Sequence, residues 1–144
     1  MNISIKRFDK DFPLPAPEKG AACFDLICRE TVTIPSHTIK AIPQNVAIKI
    51  PEGYALLLFT RSSTPLRKGL MLANGVGVVD SFYCGDKDEN LAFLFNITDK
   101  PVTVEAGDKI VQGMIVKSEP ISWIEVDAMN DSGHRGYQHL DELG

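Results

Sequence analysis

Apolar residues along this chain come in short bursts separated by turn-forming residues. The segments NISIKRF, TVTI, NVAIKI, YALLLF, LAFLFNI, VTVEAG, KIVQGMIV and SWIEV are rich in Val, Ile, Leu and Phe, side chains that suit a pleated, half-buried surface. In NVAIKI, Val46, Ile48 and Ile50 alternate with Ala47 and Lys49, a period of two that turns one face of a strand toward a core. Pro51, Glu52 and Gly53 form one turn signal, Asp99, Lys100 and Pro101 a second, and Ala106, Gly107 and Asp108 a third. No stretch sustains a helical period. At most one short helix fits, around residues 65–70, where Pro65 is tolerated in a first turn.

Many short strands with nine prolines and eleven glycines between them predict an all-β fold, a β-sandwich, jelly roll or barrel. The 144 residues suffice for a single domain with one core. We expect it over residues 1–129, with the polar, glycine-containing NDSGHRGYQHLDELG of residues 130–144 as a mobile C-terminal tail. A formal charge of -4 lacks the basic excess that grips a phosphate backbone, so nucleic acid is not the expected partner. The opening MNISIKRFDKDF has no secretory pattern and no apolar run reaches membrane-spanning length. The expected location is the cytoplasm, with no membrane partner. Cys23, Cys28 and Cys84 form an odd set without CxxC spacing, which predicts reduced, mostly buried thiols. His37, His134 and His139 are too scattered for metal ligation.

Four segments stand out for chemistry. NGVGVVDSFYCGDKDEN reads as a hairpin. Gly75 and Gly77 let a base or sugar approach the backbone, Val76 and Val78 anchor a strand beneath, and Asp80 lies near the tip. An Asp that merely caps a turn explains that carboxylate equally well. In FTRSSTPLRKGL, Arg61, Ser62 and Ser63 follow an apolar strand directly. A guanidinium fork with adjacent hydroxyls suits phosphate oxygens, and an Arg paired with a neighbouring carboxylate is the structural alternative. Gln112 interrupts an apolar strand and must find partners there. Asp25, set between Phe24 and Leu26, also needs a partner, such as an Arg.

In this order the segments resemble the trimeric dUTPase family, in which five short motifs line a nucleotide site. KGAACFDL is similar to the first motif, TRSS to the second, NGVGVVDSFYCG to the third, GDKIVQ to the fourth and HRGYQ to the fifth. Cys23 stands where the family usually has glycine and Cys84 where arginine is common, while in the tail only Arg135, Gly136 and Tyr137 match. The resemblance implies a distorted jelly-roll or barrel-like domain, a homotrimer with sites between subunits, and hydrolysis of dUTP to dUMP and pyrophosphate. By the same likeness Asp80 orients and activates the attacking water. Asn74, Gly77 and the backbone of Val79 read uracil, and Tyr83 stacks under the deoxyribose. Arg61, Ser62, Ser63 and Gln112 hold the triphosphate, helped by Arg135, and Tyr137 covers the base. Asp25 supports the site through hydrogen bonds or metal-bound water, with Mg²⁺ riding on phosphates and water rather than in a protein cage.

Two alternatives stay open on the sequence. The dCTP deaminases share this fold and an RSS segment, followed by an Arg that Arg67 imitates, yet they need a Glu on the strand after the hairpin. LAFLFN has none, and Glu89 comes early. Zinc-dependent deaminases are excluded by the absence of HxE and PCxxC. A non-catalytic nucleotide-binding relative, with its altered tail, is the second alternative.

Overall fold

A computed structural model describes residues 1–129. The tail, with Arg135, Tyr137, His134 and His139, lies outside the described residues. Eleven strands and one helix follow in the order β1 (Ile5–Arg7), β2 (Phe24–Leu26), β3 (Val32–Ile34), β4 (Ile39–Pro43), β5 (Val46–Ile48), β6 (Tyr54–Thr60), α1 (Ser63–Lys68), β7 (Leu70–Leu72), β8 (Gly77–Val79), β9 (Leu91–Asn96), β10 (Val102–Val104) and β11 (Val111–Lys117). A four-stranded sheet runs β2-β11-β6-β8 and a three-stranded sheet β4-β9-β7, with two-stranded ribbons β1-β5 and β10-β3 closing the sides. Every pairing is antiparallel. Leu26, Leu56, Leu58 and Val111 from the first sheet meet Ile42, Leu70, Ala92 and Leu94 from the second, and Ile34, Val46, Ile48 and Val104 from the ribbons complete the cluster. Alternation along β9, with Ala92 and Leu94 buried and Leu91 and Phe93 outward, shows the period-two logic directly. The all-β jelly-roll expectation with one short helix holds.

The helix starts and stops for local reasons. Pro65 sits in its first turn, where a missing N–H costs nothing. Gly69 ends it at φ 62°, its N–H returning to the Pro65 carbonyl at 3.0 Å, the left-handed stop that glycine makes without penalty. Leu70, expected in the helix, opens β7 instead.

Three further expectations need correction. SWIEV is not a strand: residues 118–129 form none, and Ile121, Trp123 and Ile124 are 72%, 90% and 86% exposed, because apolar content alone makes no strand without a ladder partner and no described strand pairs with this segment. The segment around Asp80 is not a hairpin, since β8 pairs with β6 while β9 pairs with β4 and β7, so the two strands belong to different sheets. Of the thiols, all free, only Cys28 is buried; Cys23 and Cys84 are partly exposed. Burial pushes the Cys28 thiol up to about 12, which keeps it neutral and inert. No helix among the described residues is long and apolar enough to cross a membrane.

Candidate active site

Strand register brings the first group of polar residues together. On β11, Gln112 lies opposite Asp25 of β2 and opposite Phe59 of β6, and cross-strand partners share a face. Arg61 and Ser62 leave the end of β6 beside them, the Arg61 N–H held by the Ile110 carbonyl at 3.1 Å. Arg61 Nε lies 3.2 Å from Asp25 Oδ1, and Nη1 donates to the Lys109 carbonyl at 3.3 Å. The carboxylate in the strand thus has the arginine partner that its position requires. Gln112 Nε2 donates to the Thr60 carbonyl at 3.2 Å, and the residue lines the cleft. Ser62 precedes α1 without making a side-chain capping bond, so its hydroxyl is uncommitted. Ser63 is the first helical residue and does not line this cleft.

These groups line a cleft of about 480 Å³ together with Lys109 and a wall formed by Pro13, Leu14, Pro15 and Ala16. Lys109 Nζ is 4.0 Å from Asp25 Oδ2, so one carboxylate stands between two cations. Sequence reading missed Lys109, although it lies inside the GDKIVQ segment; a cation three residues before a strand glutamine was the available signal. Nearby, Lys68 Nζ meets Asp108 Oδ2 at 2.8 Å. Partial burial pulls the Asp108 carboxyl upward, but the Lys68 hydrogen bond and the Glu105 N–H outweigh it and hold it below the ordinary value.

The second group gathers at a cavity of about 310 Å³ lined by Leu58, Asn74, Gly77, Val78, Val79, Asp80, Tyr83, Asn90, Leu91 and Phe93. Gly77 faces inward against β6, where a Cβ would come 2.9 Å from the Leu58 Cβ, so the bare backbone itself forms part of the wall. Val76 and Val78, expected beneath, are instead 42% and 66% exposed, since it is the Gly77 and Val79 parity that faces the interior. Asp80 follows β8 and its Oδ1 accepts the Phe82 N–H at 2.9 Å, while Oδ2 has no partner among the described residues. The carboxylate therefore caps a turn and still presents an oxygen outward. The Tyr83 hydroxyl donates to the Glu89 carbonyl at 3.0 Å, which steadies its ring at the cavity edge.

Glu89 itself is committed elsewhere. Arg29 Nε donates to its Oε1 at 3.0 Å and Arg29 Nη2 to its Oε2 at 2.9 Å, and the Asn45 N–H reaches Oε1 at 2.8 Å. Such a bidentate, nearly buried pair is structural, and the Glu89 hydrogen bond holds the Arg29 guanidinium above its ordinary value. Arg67, on the exposed side of α1, lines neither cavity.

The cleft and the cavity share no lining residue, so the chain carries two separate polar openings. A family model, described as dUTPase, matches residues 10–140. The chain belongs to the dUTPase family. A deoxyuridine 5'-triphosphate nucleotidohydrolase of Dictyoglomus turgidum is 33% identical over 149 aligned positions, covering 100% of this chain and 99% of the relative. Among solved structures, the dUTPase from Streptococcus mutans superposes with a TM-score of 0.74 at 34% identity, covering 83% of this chain and 98% of that one. A variant dUTPase of phage phi11 of S. aureus, whose structure concerns coordination of a structural Mg(II) ion, shares the fold with a TM-score of 0.78 at 20% identity over 91% of this chain and 100% of that one. The segments read as the first, second and fourth motifs line the cleft, and the one read as the third lines the cavity.

Proposed function

We infer that this chain hydrolyses dUTP to dUMP and pyrophosphate. What carries the reading is the combination, on a dUTPase-family chain, of a cavity of about 310 Å³ edged by the Asp80 carboxylate with a separate cleft holding a guanidinium, a hydroxyl and an amide. Asp80 aligns the attacking water and takes its proton as it adds to the α-phosphorus. Asn74, the bare backbone at Gly77 and the peptide groups of Val79 read uracil, whose O4 acceptor and N3 donor are reversed in cytosine, and mismatched buried groups reject the wrong base strongly. The tethered Tyr83 ring supports the deoxyribose. Arg61, Ser62 and Gln112 hold the phosphates, and the family resemblance adds Arg135 and Tyr137 as further substrate contacts.

The donor chemistry of the cleft fits Mg²⁺ carried on the triphosphate. It offers two hard carboxylates, Asp25 and Glu18, and the Gln112 amide, and no group of three or more His, Cys, Asp or Glu converges among the described residues. That set suits an ion that keeps several waters. Asp25 and Gln112 would hold it through those waters, and when bound it neutralises phosphate charge. Arg61 and Lys109 supply the remaining positive field in an otherwise acidic protein.

The working unit we propose is a homotrimer in which the cavity of one subunit meets the cleft of another. The outward face of the β4-β9-β7 sheet carries Ile39, Met71, Leu91 and Phe93, each at least 36% exposed, and the arm bearing Trp123 is uncovered. Apolar area of that extent on a lone chain calls for a partner. The free thiols fit a cytoplasmic enzyme. A deaminase reading is not favoured, because Glu89 is fixed by Arg29. Incubating the protein with Mg²⁺ and dUTP, dCTP or dTTP tests the activity: we expect pyrophosphate from dUTP alone, whereas ammonia from dCTP, or saturable binding without turnover, contradicts it.

A further inference from the structure

We propose that the Arg29–Glu89 ion pair positions the Tyr83 ring and, through that ring, sets the preference for deoxyribose over ribose nucleotides. The proposal rests on the reading of this chain as a dUTP hydrolase. Residues 80–90 join β8 to β9 without strand or helix, and Tyr83 lies among them. Most hydrogen bonds of this stretch close on the stretch itself: the Phe82 N–H reaches Asp80 Oδ1, the Cys84 thiol the Ser81 carbonyl, the Gly85 N–H Asp88 Oδ2, and the Asp88 N–H the Gly85 carbonyl. Bonds of that kind shape a turn but leave its placement against the sheets open.

Two side chains of the stretch bond to other parts of the fold. Asp86 meets Lys6 on the surface, where an ion pair contributes little. Glu89 is 8% exposed and its carboxylate accepts from two other segments, from Arg29 after β2 and from the Asn45 N–H between β4 and β5. Both donors are themselves held. The Arg29 N–H donates to the Pro43 carbonyl at 2.9 Å, and Asn45, at φ 65°, is clasped by the Asp9 backbone through its side-chain amide. Removing two charges from water costs what an apolar pair of the same shape avoids, so stability alone does not call for them here.

What the pair fixes is the anchor of the ring. The Tyr83 hydroxyl donates to the Glu89 carbonyl at 3.0 Å, and that carbonyl shares a peptide plane with the Asn90 N–H, which donates to the Val46 carbonyl at 2.8 Å. The plane is held at one end by Val46 and at the other, at the Glu89 Cα, by the clamped carboxylate. Tyr83 lines the cavity. A ring held by its own chain and by its hydroxyl cannot swing aside to admit a 2′-hydroxyl on the sugar above it; a ring whose anchor shifts can.

The ratio of calorimetric affinities for dUMP and UMP separates this role from a purely structural one. We expect Glu89→Gln, which keeps the backbone carbonyl but loses the charge, to narrow the wild-type preference for dUMP by about tenfold. Arg29→Lys keeps a charge without the fork and should narrow it in the same direction by less; it carries the comparison if Glu89→Gln does not fold. Tyr83→Phe cuts the tether at the ring, so adding Glu89→Gln to it should narrow the preference no further, the mark of two changes acting on one link. Variants whose unfolding midpoints fall while the ratio stays at the wild-type value overturn the proposal, because the pair then serves the fold alone. A double variant whose loss is the product of the two single losses overturns it too, since the pair then acts elsewhere than through Tyr83. A wild type that binds dUMP in preference to UMP but releases no pyrophosphate from dUTP overturns the hydrolase reading instead, and the ratios still decide the role of the pair.

Discussion

At the scale of single residues, Asp80 divides its two oxygens between a turn and open space, and that division decides what substitution does there. Asp80→Asn keeps the amide oxygen that accepts the Phe82 N–H, so the turn and nucleotide binding should persist. It removes the base, for which a fall in kcat of about 10³-fold is expected. Pyrophosphate release and a dUMP titration check this; a kcat near wild type removes Asp80 from the proton transfer. Asp80, Arg61, Gln112 and Asp25 were legible in the sequence because each is a polar group where an apolar strand or tight turn must account for it. What each touches was only partly legible. The Arg61 partner of Asp25 followed from the cost of burying a carboxylate, but the role of Glu89 did not, since Arg29 lies sixty residues away and only the folded chain joins them. The roles of Val76 and Val78 were misread because parity in a three-residue strand is set by which side chain fits Leu58, and only glycine at position 77 does.

At the scale of elements, local periodicity found the strands that alternate over several residues, such as β5, β6, β9 and β11. It missed β4 and β7, whose pairing with β9 is what makes them strands, and it joined β8 to β9 because sequence neighbours are the natural guess for a hairpin. The ion pair between α1 and the turn before β11 gives a testable property. Lys68 and the Glu105 N–H hold the folded Asp108 carboxyl below its ordinary 3.8, so the folded chain binds that proton more weakly than the unfolded chain. Its contribution to stability is complete above the ordinary value and is lost as pH falls through the folded one. Denaturation midpoints of wild type and Asp108→Asn should therefore differ near neutrality and converge below about pH 3.8. A gap that is constant with pH contradicts this account of the pair.

At the scale of the whole molecule, the central observation is that the groups we propose to read the base and those we propose to hold the phosphates lie at separate openings of one chain. The proposed function needs both sets of groups on one nucleotide, and the exposed apolar sheet face and Trp123 arm supply surfaces by which copies can bring the two together. Composition and patterning carried no trace of this, since outward apolar residues on a half-buried sheet read as ordinary strand positions. The family resemblance carried it instead. Subunit mixing tests it most directly. Asp80→Asn chains keep an intact cleft, and Arg61→Ala chains keep an intact cavity, so each variant alone should be nearly inactive. After subunit exchange at equal concentrations, sites that pair one chain's cavity with another's cleft should restore up to about a quarter of wild-type dUTP hydrolysis. A mixture no more active than its two components would contradict a site shared between subunits.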